Sequence, residues 1–116
     1  MITKTALKQK FQNAYDILRY HWIQRDWFQI QGNRATLKEA KQSNKACKMC
    51  LDGAFKFVCA TKPNCKLDSG YNAMTKVFNK VIVENEYEGV IGYNDRDTTT
   101  KKDVLKSLKK CIKSLS

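Results

Sequence analysis

Leu7, Phe11, Ala14, Leu18 and Trp22 recur at steps of four, three, four and four. An α-helix turns about 100° per residue, so these five side chains share one stripe that has to be buried against another element. The spacing predicts a helix from Lys4 to His21 or Trp22, with Lys4, Lys8, Lys10 and Arg19 largely facing water. The C-terminal segment repeats the pattern. Val104, Leu105, Leu108, Cys111, Ile112 and Leu115 form an apolar stripe, and Lys101, Lys102, Lys106, Lys109, Lys110 and Lys113 fill the opposite side. Thr98 to Thr100 offer capping hydroxyls, and Asp103 sits where a carboxylate meets first-turn amides and the helix dipole.

The middle of the chain is less regular. Ser43 is a good N-cap for a second helix running to about Ala60, with Cys47, Cys50, Leu51, Ala54, Phe57 and Val58 toward the core. Gly53 inside that helix costs about 1 kcal/mol against alanine, which points to the close approach of another element. Pro63 stops the helix, and a loop to Gly70 leads to a third helix carrying Met74, Val77, Phe78, Val81 and Ile82. Phe28 and Ile30 alternate with glutamines before Gly32-Asn33, a faint strand-and-turn signal within a connector. Thr36 to Lys41 has helical propensity but few apolar residues to hold it, and Glu84 to Gly92 suits a loop, continued by a turn at Asn94 to Asp97. The expected fold is mainly α: one compact four-helix domain over residues 1–116, with irregular connections and at most a minor two-stranded element near Phe28 or Val90. With 42% apolar residues, a chain of this length can support one core.

Two motifs carry a resemblance. Cys50-Leu51-Asp52-Gly53-Ala54-Phe55 is followed downstream by Tyr93-Asn94-Asp95, Thr98 to Thr100, Asp103-Val104-Leu105 and Leu108. In order and spacing, from about Ala14 onward, this resembles an uncharacterised family of small bacterial and phage-borne helical proteins. Those proteins have a C-x-x-G-A helix, an aromatic-Asn-Asp turn and a Thr-capped final helix; Met49 stands where the family often has tryptophan. The resemblance implies a mostly helical fold, a phage or bacterial setting and a family role for the Asn94-Asp95 turn. It implies no activity.

Twenty-two Lys and Arg against eleven Asp and Glu give a net charge of +11. Such a balance favours polyanions or acidic protein surfaces and says nothing about fold. The charge is polarised: Val81 to Thr98 holds five acids and one base, and the rest of the chain twenty-one bases and six acids. Two function classes follow. Lys4, Lys8, Lys101, Lys102, Lys106, Lys109, Lys110 and Lys113 are candidates for contacting nucleic-acid phosphates. Alternatively the chain is an adaptor or inhibitor docking on a host or phage protein, with Glu86, Glu88, Asn94 and Asp95 in the acidic segment as partner contacts. With no apolar run of signal-peptide or membrane-spanning length, the expected location is cytoplasmic, without a membrane partner.

Catalytic and metal chemistry find little support in the residues. Four of the five cysteines, Cys47, Cys50, Cys59 and Cys65, have a zinc-like ring to their spacing. Within one helix, however, Cys50 and Cys59 would lie about 13 Å apart along the axis, too far for one ion bound at about 2.3 Å. Asp95, Asp97 and Thr99 resemble the start of a calcium loop, but Thr100 replaces the turn glycine and Lys106 the closing glutamate. His21, the sole histidine, is better placed to meet a helix dipole than to act as a base. No nucleophile elbow, phosphate-cradling glycine loop or dinucleotide fingerprint is present. The expectation is a non-enzymatic binding protein with no cofactor and no metal.

Overall fold

A computed structural model describes residues 2–43, 45–61, 64–83 and 89–116. Helix α1 spans Lys4–His21 and begins at Thr3, whose hydroxyl accepts the Ala6 amide at 3.1 Å. Its buried face is Leu7, Phe11, Ala14 and Leu18, the stripe read from the spacing.

The connector after α1 holds more structure than its composition suggests. Strand β1 (Phe28–Ile30) pairs antiparallel with β2 (Asn33–Arg34) across a tight turn in which Gln31 and Gly32 both have positive φ, 51° and 82°. That geometry matches the twist of a two-residue hairpin and suits glycine. Helix α2, Leu37–Gln42, survives without an apolar stripe because Thr36 and Glu39 close a reciprocal capping box and Ala40 reaches the core.

The expected second helix from Ser43 to Ala60 is replaced by two elements. Ser43 caps the end of α2, Cys47–Met49 forms strand β3 antiparallel to β1, and only Leu51–Cys59 is helical (α3), with Cys50 as its N-cap. The physical reason is local alternation: Cys47 and Met49 are buried and Lys48 between them is exposed, a period of two. The three-stranded sheet has the order β2-β1-β3. Gly53 has the role its position implies: a Cβ there would run into the Trp27 carbonyl oxygen and sit 3.4 Å from Cβ of Met49.

A small hairpin, β4 (Ala60–Thr61) with β5 (Lys66–Leu67), follows where a loop was expected. Pro63, expected to stop a helix, lies outside the described residues; α3 ends before it, at Cys59. Helix α4 is Ser69–Val81 and α6 is Lys101–Ser114, the latter opened by a Thr100–Asp103 capping box. Between them Gly89–Asp95 forms a short helix, α5, in place of the expected loop and turn, because Val90 and Asn94 stand one helical turn apart and both are buried. The described residues therefore hold six helices and two small antiparallel sheets, still a mainly helical fold.

The core is threaded by a chain of edge-on rings. Phe11 meets Phe55 at 5.6 Å, Phe55 meets Phe78 at 5.9 Å, and Phe78 meets Tyr93 at 5.4 Å, so α1, α3, α4 and α5 are joined through one line of contacts. Phe11, Phe55 and Phe78 are fully buried, each contributing about 1.5–3 kcal/mol. No helix among the described residues is long and apolar enough to cross a membrane.

Candidate functional site

Helices α1 and α6 pack against one another and run antiparallel, since Lys8 Nζ donates to Ser116 Oγ at 2.9 Å while Lys109 Nζ lies 5.4 Å from the Tyr15 ring. At about 100° per residue, Lys102, Lys106, Lys109, Lys110 and Lys113 fall within an arc of roughly 100° on the solvent side of α6. All five are exposed, as are Lys101 in the first turn and Lys4 on α1; Lys8 is half-buried. Lys101 falls about 100° from Lys102 and outside that arc, and Lys4 and Lys8 lie on the partner helix near the C-terminal end of α6, where Lys8 meets Ser116. The single acid of α6, Asp103, is engaged with Thr100, whose amide and hydroxyl hold its carboxyl below the usual carboxylate range. Lys106 and Lys110 also border, with Lys80, a groove of about 330 Å³ beside Tyr93 and Ser107.

The acidic segment is organised differently from expectation. Glu86 and Glu88 lie outside the described residues. Asn94, placed by its sequence in an exposed turn, is completely buried. Its Oδ1 accepts Trp22 Nε1 at 2.6 Å and the Leu51 amide at 3.0 Å, and its Nδ2 donates to the Ile23 carbonyl and to Asp95 Oδ1. Asp95 Oδ1 also accepts the amide of Arg25, a residue in the left-handed region with φ of 66°. Gln24 Nε2 completes the seam, facing the carbonyls of Asn94, Arg96 and Thr99. The end of α1, the start of α3 and the end of α5 are thereby tied through one amide side chain.

Residues 3–114 match the model of a family of unknown function, DUF6197. The chain belongs to this family. No curated protein and no solved structure matches it. In this DUF6197 member the two motifs behind the family resemblance, Cys50 to Phe55 and Tyr93-Asn94-Asp95, meet in space through the Leu51–Asn94 bond.

At that meeting point of the DUF6197 fold lies a cleft of about 250 Å³, lined by Arg25, Asp26, Trp27, Arg34, Ala35, Cys50, Ile91 and Asp95. Trp27 and Ile91 are 49% and 46% exposed and border the same cleft. The Trp27 ring is nonetheless fixed: Nε1 donates to Asp52 Oδ2 at 3.0 Å, and Lys56 Nζ lies 4.5 Å from the ring centroid. Asp52 is buried and also accepts from Tyr71 Oη at 2.7 Å and pairs with Lys56 at 3.5 Å. Burial, and then the bond to Asp52, raises the Tyr71 phenol, so it stays a neutral donor. At the rim, Gln29 first and Arg34 next hold the Asp26 carboxyl below its ordinary range, with Arg34 Nε at 2.7 Å. Arg25 Nη2 lies 2.7 Å from Asp97.

Sequence reasoning missed Arg25, Asp26, Trp27, Arg34 and Ile91. The signals were a tryptophan off every helical stripe and, beside it, the short alternation of Phe28 and Ile30 with glutamines, which marks a strand but not what its flanking residues line.

Among the described residues no group of three or more His, Cys, Asp or Glu side chains could hold a metal. Cys47, assigned to a helix with Cys50 and Cys59, is instead on β3. Burial above all pushes the Cys50 thiol up to about 11, and the thiols of Cys59 and Cys111 up to about 12, leaving neutral groups without nucleophilic character near neutral pH. His21 is the last residue of α1, edge-on to Tyr20.

Proposed function

We propose that this chain is a small non-enzymatic binding protein of phage or bacterial cytoplasm that holds the backbone of nucleic acid on the lysine face of α6 and the adjoining start of α1. The observation that carries this reading is that the five lysines of the α6 arc are exposed while none of them forms an ion pair among the described residues. By contrast, Lys10 and Lys56, which face the interior, each have a carboxylate partner. Exposed, unpaired ammonium groups on a rigid helix neutralise phosphates and release condensed counterions, which supplies affinity without base readout.

An electrophoretic shift with mixed-sequence duplex DNA and RNA tests the reading. Binding at about 50 mM salt that weakens by orders of magnitude at about 200 mM is expected. No shift at the lower salt overturns it.

A further inference from the structure

The cleft at the motif junction is separate from the backbone contacts of the lysine face, and its walls have a different chemistry. Two large apolar side chains, Trp27 and Ile91, line one cavity while remaining nearly half exposed, and small-ligand sites are apolar walls with a few placed polar groups. The indole is fixed in place before any ligand arrives. Its N–H is tied to buried Asp52, and the Trp27 carbonyl accepts the Cys50 amide at 3.2 Å, so stacking on it costs little ordering. The charged residues of the lining are balanced: Arg25 and Arg34, each already giving one N–H to Asp97 or Asp26, carry only donors, and Asp26 and Asp95 carry only acceptors. A balanced lining does not select a phosphate. It suits a flat neutral solute with an acceptor edge beside a donor edge.

A cavity of about 250 Å³ is below the usual range for drug-sized ligands and admits a single ring system. Guanine meets every term. Its O6 and N7 accept from arginine, its N–H edge donates to a carboxylate, and any base face stacks on tryptophan. The cleft also lies where α1 ends and α6 begins, since Gln24 Nε2 reaches the Thr99 carbonyl at 3.3 Å and Arg25 reaches Asp97. A strand held along the helix pair ends beside it.

We infer that the cleft receives one unpaired base of a nucleic-acid strand, guanine in preference, stacked on Trp27 with arginine on its acceptor edge and aspartate on its N–H edge. Delivery of a strand rests on the backbone reading; the pocket itself does not.

Titration of the protein with the 5′-monophosphates of guanosine, adenosine, cytidine and uridine, with ribose 5-phosphate as the base-free control, tests the inference through tryptophan fluorescence and calorimetry. Saturable binding of the guanosine form, at least severalfold tighter than the others, with none for ribose 5-phosphate, is expected. Trp27→Ala should weaken it about tenfold or more. Arg34→Ala, a change at a side chain 80% exposed, should erase the guanine preference in a folded protein. Equal binding of all five probes, no saturable binding, or full binding retained in both variants would overturn the inference. Binding of N-acetyl-tryptophanamide with no monophosphate bound would also overturn it, by assigning the cleft to a protein side chain. Because duplex DNA offers the lysine face without an unpaired base, failure of the monophosphates and failure of the duplex shift are separate results.

Discussion

Asn94 Oδ1 stands 2.6 Å from Nε1 of Trp22, and the same oxygen takes the first amide of α3 at 3.0 Å. Neither element could close alone. The segment leaving α1 and the N-terminus of α3 each bring a donor to one buried acceptor, and the rest of the amide donates to Ile23 and Asp95. Asn94→Ala leaves those donors unsatisfied, a loss of about 2–4 kcal/mol given roughly 1–3 kcal/mol for each orphaned group. Urea unfolding should show a lower midpoint with an unchanged slope. Asn94→Asp should keep the acceptor but set a second carboxylate against Asp95, so its loss should shrink on acidification.

Gly53→Ala should destabilise by about 1–3 kcal/mol, because its methyl meets the Trp27 backbone carbonyl, which cannot swing away as a side chain can. The helix-propensity gain of about 1 kcal/mol does not offset this. Thermal unfolding checks the sign, and a stabilised variant would count against the close packing of Trp27 on α3.

Thiol reactivity should separate Cys65 from the rest. Cys50, Cys59 and Cys111 are buried, with thiols pushed up to between about 11 and 12, and Cys47 is buried and raised as well, chiefly by desolvation. Cys65 is half-buried. Labelling at pH 8 should give one fast thiol in the folded protein and five after denaturation; two or more fast thiols would contradict the burial.

Acid should loosen the fold through Asp68 and Asp103. Burial pulls the Asp68 carboxyl upward, but Lys10 at 3.0 Å and the Gly70 amide outweigh it, and the Thr100 cap lowers Asp103. Folded-state values below the ordinary 3.8 mean stability that is fully present above that pH and lost as pH falls through the folded values. Unfolding midpoints should therefore drop below about pH 4, and less steeply in Asp68→Asn.

The helices at the two ends were legible because each carries a full apolar stripe and, at α6, a complete capping box. The centre was not, and the cause is specific. Cys47, Cys50, Leu51 and Ala54 also satisfy the i, i+3, i+4, i+7 spacing of a helix, so the three-residue strand Cys47–Met49 was hidden inside a plausible helical stripe. Its pairing with Phe28–Ile30 is a tertiary fact. The lysine face followed directly from helical spacing, whereas Arg25, Trp27, Cys50, Ile91 and Asp95 reach the cleft from three separate segments. Asn94 was read as a turn residue because its chemistry suits turns; what buries it is the demand of two donors that no local pattern displays.

The salt dependence of duplex binding is the most direct measurement of what the lysine face does. Comparing the wild type with a Lys106→Glu, Lys109→Glu, Lys113→Glu variant, log Kobs should fall linearly with log salt in the wild type. The variant should bind more weakly, with a slope shallower by about 2–3, since each phosphate contact contributes about 0.9. Equal affinity and equal slope in the two proteins would show that this face is only solvated, and would contradict the backbone-binding function.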